Sequence, residues 1–144
     1  MELTINKSTR LLLVVAGLIA LTGCPGQGDR LKADETTTVL KEGDNVCFVV
    51  PNARDFQPSY IAINPRETPV QERKYTFLPQ LKVRDEKLCI PPSFYSFSMN
   101  GQFVVNYILK SRTQDDSPRS VVVGVEFKQG RVENFPLANN EIAY

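Results

Sequence analysis

Two stretches toward the C-terminal end, Gln102 to Lys110 and Ser120 to Lys128, alternate apolar and polar side chains with a period of two, a pattern that suits a strand and not a helix. Phe103, Val105, Tyr107 and Leu109 share one face of the first, and Val121, Val123, Val125 and Phe127 share one face of the second. Their opposite faces still carry Val104, Ile108 and Val122, so both strands are expected in the middle of a sheet. A chain holding two such strands must bury one sheet face against another layer.

The rest of the chain from Leu31 onward reads the same way, as short runs of Val, Ile, Phe, Tyr and Thr bounded by Pro, Gly, Asn or Asp. Expected strands are Thr36 to Leu40, Val46 to Val50, Tyr60 to Ile63, Lys74 to Leu78, Leu81 to Arg84, Lys87 to Ile90 and Arg131 to Phe135. Lys41 to Asp44 is read as a turn, and Asp85-Glu86 as a tight hairpin turn that lacks the usual glycine. Val46, Phe48 and Val50 point one way, Cys47 and Val49 the other. The cluster Phe94 to Phe97 reads either as core filling at a strand crossover or as an exposed recognition patch. The tail after Pro136 has little to hold it. The fold class expected is therefore all-β, a single immunoglobulin-like β-sandwich of about seven to eight strands, with a small closed barrel as the alternative.

Ahead of this domain, Lys7 and Arg10 form a positive n-region, and Leu11 to Leu21 is an apolar run of roughly eleven residues, too short to cross a bilayer core. It ends in Leu21-Thr22-Gly23-Cys24, which resembles the lipobox of bacterial lipoprotein signals. The resemblance implies a signal peptide over residues 1–23, cleavage before Cys24, and a lipid on the Cys24 thiol as membrane anchor. In that class the residue after the cysteine sorts the product, and Pro25 implies the outer membrane, facing the periplasm. Residues 24–30 are turn formers and polar groups that suit a lipidated tether, reaching some 20 Å when fully extended. Residues 31–144 remain for the β-sandwich domain, enough for one core.

The chain has no histidine, which removes the commonest general base and zinc ligand together with every Ser-His-Asp arrangement. Catalysis would then need a carboxylate pair or a Ser-Lys dyad; the adjacent pairs Asp34-Glu35, Asp85-Glu86 and Asp115-Asp116 fall where turns or exposed ends are expected and read as solvated charge. Arg54, Arg66, Arg84 and Arg119 could recognise an anion only if the fold gathers them. The formal charge of +1 gives no steering toward nucleic acid. No cofactor, no metal and no enzymatic activity are expected.

With Cys24 assigned to lipid, Cys47 and Cys89 are left as an even pair in an oxidising compartment, and a disulfide is the natural reading, two buried free thiols the alternative. Closing a loop of about 43 residues is worth roughly 4 kcal/mol in the chain-entropy model.

The segments Val46-Cys47-Phe48, Pro58 to Arg66 and Leu88-Cys89-Ile90-Pro91-Pro92-Ser93-Phe94-Tyr95, followed by Gly101-Gln102-Phe103, resemble a family of small enterobacterial periplasmic lipoproteins described as type VI secretion immunity proteins. The similarity spans roughly Thr36 to Leu109. It implies a protein that binds and neutralises a toxic effector. A sandwich exposes loops at both ends, and Asn52 to Pro58, Asn64 to Pro69 and Ser111 to Arg119 are the longest candidates for contact. A structural or assembly lipoprotein of the envelope and a small-ligand binding module are the other classes open to such a chain.

Overall fold

A computed structural model describes residues 32–113 and 117–142. The expected signal peptide, the expected lipid site Cys24, the expected tether and the pair Asp115-Asp116 lie outside the described residues. Nine strands lie among the described residues: β1 Val39–Glu42, β2 Asn45–Val49, β3 Gln57–Pro65, β4 Thr76–Phe77, β5 Val83–Arg84, β6 Lys87–Ile90, β7 Gly101–Lys110, β8 Arg119–Lys128 and β9 Arg131–Asn134. They form two antiparallel sheets, ordered β1-β2-β6-β5 and β4-β3-β7-β8-β9. The protein is an all-β sandwich. Its strand order is that of an immunoglobulin-like fold, four strands against the C′CFG set, with β9 added beyond the last.

The alternation in β7 and β8 explains their place. Phe103, Val105, Tyr107 and Leu109 interleave with Val121, Val123, Val125 and Phe127 on the inner face, and both strands are flanked on each side. Val46 and Phe48 of the facing sheet, with Val50 just beyond β2, complete the core with Leu88 and Ile90. Gly124 is required where β9 folds back: a Cβ there would stand 2.5 Å from the Phe135 carbonyl oxygen.

Cys47 and Cys89 are direct partners across β2 and β6 and form a disulfide, on the face of that sheet turned from the core. The bond therefore lies within one sheet, unlike the inter-sheet bridge of antibody domains. Glu42 lies beside both sulfurs, but disulfide-bonded sulfur offers no thiolate to a metal.

Some elements differ from the sequence reading. β1 continues to Glu42, leaving Gly43-Asp44 as the turn. β3 is nine residues long, although Pro58 and Pro65 suggest loops at both ends. Both prolines lie outside the span Tyr60–Ile61 that pairs with β4, and a register shift between Pro58 and Tyr60 absorbs the first, so neither missing N–H breaks a ladder. The Asp85-Glu86 turn forms without glycine, with φ of 50° and 55°, the left-handed pair that a two-residue hairpin demands.

The expectation of a loose tail is overturned. Glu141 takes both Nε and Nη2 of Arg66 at 3.0 Å and accepts the Ala138 N–H at 2.7 Å, and the Arg66 guanidinium lies over the Phe135 ring. At the other terminus Glu35 makes a parallel bridge to Val121, and the Asn134 side chain holds the backbone at Thr37 and Val39. The N-terminal segment thus crosses from the edge of the larger sheet to the smaller one.

Candidate interaction surface

The cluster Phe94 to Phe97 is core filling. Phe97 stacks on Phe127 at 5.1 Å between ring centroids and meets Phe103 edge-on at 5.2 Å, and Tyr95 packs against both Phe97 and Phe103. The exposed aromatic patch is elsewhere, where sequence reasoning expects only another strand.

It is built around β4. Tyr60 of β3 stands in register with Phe77, their ring centroids 5.6 Å apart, and Tyr75 completes a triangle at 5.7 Å from Tyr60 and 5.3 Å from Phe77. Tyr75 is 58% exposed and Phe77 69%. Both point the same way because they are two residues apart on extended chain. Partial burial, with Tyr75 alongside, raises the Tyr60 phenol above its ordinary pKa, so it stays a neutral donor.

Leu78 extends the patch and is 79% exposed. Its φ is 44°, a left-handed conformation that costs a non-glycine residue about 1–3 kcal/mol. Its N–H donates to the Ser59 carbonyl, so the backbone is fixed while the side chain projects into solvent.

Asn64 explains why so short a strand stays on the sheet. It is buried, and its amide both accepts from the Lys74 N–H at 2.8 Å and donates to the Lys74 carbonyl at 2.9 Å, imitating a strand pair just before β4. The patch is flanked by two hollows. One, of about 410 Å³, runs between Tyr75 and the Phe94-Tyr95 pair; the other, of about 200 Å³, lies beside Tyr60 with Arg66 and Arg73 on its wall.

The residues singled out from sequence distribute unevenly. Asn52 to Pro58 and Ser111 to Arg119 meet at one end of the sandwich, where Asp55 accepts from the Ser111 hydroxyl, the N–H groups of Arg112 and Thr113, and the Thr113 hydroxyl. These four donors hold the Asp55 carboxyl at a pKa of about 2. Asn64 to Pro69 lies at the opposite end, its first two residues absorbed into β3. The four arginines do not gather: Arg66 pairs with Glu141 and Arg119 with Glu35, Arg84 sits in β5, and Arg54 shares a cavity with Arg119 alone.

The patch had one sequence signal, the aromatics Tyr75 and Phe77 at strand spacing beside Leu78-Pro79, but spacing does not say which face is covered. Among the described residues no helix is long and apolar enough to cross a membrane. Residues 34–130 match the model of a family described as a domain of unknown function (DUF7480). No curated protein and no solved structure matches the chain.

Proposed function

We propose that this chain, which belongs to the DUF7480 family, is a lipid-anchored periplasmic lipoprotein that works by stoichiometric binding of a protein through the Tyr60–Tyr75–Phe77–Leu78 surface. The observation that carries the reading is an exposed leucine held in a left-handed backbone next to two exposed aromatic rings, an arrangement that contributes nothing to the core. Rigid aromatic side chains supply large contact area with little rotamer entropy to lose, which is why they anchor protein interfaces. The stiff two-sheet core beneath keeps the patch pre-organised.

The partner class follows from the resemblance of the cysteine-bearing segments to type VI secretion immunity lipoproteins: a toxic effector delivered into the periplasm. The Cys24 lipid and the short tether would hold the domain at the outer membrane, where such an effector arrives. Neutralisation is then occlusion of the effector by a partner present in at least equal amount.

The test is co-expression of a periplasm-directed effector from the same locus with the wild-type protein, or with Phe77→Asp or Leu78→Asp. Protection should rise with dose, and both variants should lose protection and complex formation together while keeping the wild-type melting temperature. Protection without a complex, or at far below one copy per toxin, refutes the reading.

A further inference from the structure

The end of the sandwich that carries the β2–β3 loop contains a second feature, unrelated to the aromatic surface. A cavity of about 400 Å³ opens between this loop and the N-terminal segment, with Tyr107 of β7 lining its base. Tyr107 is fully buried, and its hydroxyl has no hydrogen-bond partner among the described residues. A hydroxyl so placed is costly, because nothing replaces the water it has lost. The ring itself is packed 5.9 Å from Phe48, a contact that phenylalanine would make equally well. The phenol lies close enough to Arg119 and Glu35 to feel both charges, and burial keeps it protonated and so able to donate.

The walls supply more donors. Arg119 is held by Glu35 through Nε at 3.0 Å and Nη2 at 2.7 Å, and its Nη1 reaches the Pro51 carbonyl at 3.0 Å. Arg54 also lines the cavity and has no ion pair among the described residues. Asn52 and Arg54 both hold positive φ, 53° and 43°, so the loop that presents them is strained at two positions. Strain of this kind persists where the surrounding structure enforces it, and it gathers at ligand clamps. Two guanidinium groups against the single Glu35 carboxylate leave the cavity with one net positive charge.

We propose that this cavity binds a small monocarboxylate, its charge met by Arg54 and its inner end accepting the Tyr107 hydroxyl. A single net charge selects a monoanion over a dianion, and the Asn52 amide and Thr36 hydroxyl at the wall add donors of the same sense. Because the phenol oxygen is covered, its engagement requires a small displacement of the loop between Asn52 and Arg54, which is exposed at both of these residues. This inference stands whether or not the aromatic surface binds a protein.

The experiment is a titration of the full chain with acetate, propionate, butyrate and benzoate, with sulfate and phosphate as control anions, read by amide NMR shifts and by calorimetry. At least one monocarboxylate should give saturable shifts centred on Asn52 and Arg54. Arg54→Gln and Tyr107→Phe should each weaken it by about tenfold or more. Arg54 is exposed and Tyr107→Phe only removes an unpaired hydroxyl, so both variants should keep the wild-type fold. No saturable response to any monocarboxylate, an equal response to sulfate, or binding that survives Arg54→Gln would overturn the site. Tyr107→Phe that leaves binding intact would remove the phenol from it and refute the proposal as stated.

Discussion

Removing the disulfide by the double substitution Cys47→Ala with Cys89→Ala should lower stability by about 4 kcal/mol. The magnitude follows from the loop it closes: the cysteines are 42 residues apart in sequence, and the chain-entropy model gives about that figure for such a loop. The strand pairing should persist, because Cys47 and Cys89 are already register partners in the β2–β6 ladder, although loss of the fully buried Cys47 sulfur adds a smaller packing cost. The larger part of the effect therefore belongs to the unfolded chain. Urea denaturation followed by tyrosine fluorescence measures it: with a slope of about 1.5 kcal/mol per molar, the midpoint should fall by between 2 and 3 M, roughly. The slope itself should rise, since an unfolded chain freed of its cross-link exposes more surface. A midpoint shift below about 0.5 M with an unchanged slope would refute the reasoning; it would mean that the unfolded chain is already compact across this loop.

Glu86→Gly should stabilise the domain by about 0.5–1 kcal/mol, because it relieves a left-handed residue in the β5–β6 turn, and a higher urea midpoint checks it. Gly124→Ala should cost about 1–3 kcal/mol, as its Cβ would press on the Phe135 carbonyl and ring; an unshifted midpoint would show that β9 yields freely. The Asp55 carboxyl, depressed to about 2, contributes stability that is present above the unfolded carboxylate pKa near 4 and is lost as pH falls toward 2. Asp55→Asn should flatten that part of the acid-denaturation curve, and an identical curve would remove Asp55 from the account.

What could be read from the chain was whatever depends on local pattern. The inner faces of β7 and β8 follow from period-two alternation, and the Cys47–Cys89 pair from parity with Cys24 set aside and an oxidising compartment expected. What escaped depends on partners far apart in sequence. The tail is fixed by Glu141 on Arg66, 75 residues away, and no local feature announces that pair. The extent of β3 was hidden because a proline argues against a strand unless the neighbour on its N–H side is known to be absent. Tyr75 and Phe77 have the spacing of a buried face, and only the register of Phe77 with Tyr60, on the sheet face turned from the core, shows that they are uncovered. The unpaired hydroxyl of Tyr107 was invisible for the converse reason: its burial was legible, its surroundings were not.

The fastening of the N-terminal segment decides how the domain carries load. Tension arriving through Lys32 first meets the bridge in which the Glu35 N–H donates to the Ser120 carbonyl and the Glu35 carbonyl accepts from Val122. Only when that parts does it reach the Asn134 amide, which grips Thr37 and Val39, and after that β1. These catches stand one behind another along the chain, so they release in turn and can re-engage in turn. The first catch hands the pull to β8 at Ser120 and Val122, so the long β7–β8 ladder, in register from Gly101–Phe127 to Leu109–Arg119, backs the outer catches and outlasts them. A domain towed by its N terminus would thus pay out a few residues of slack while the Tyr60–Phe77 face kept its shape.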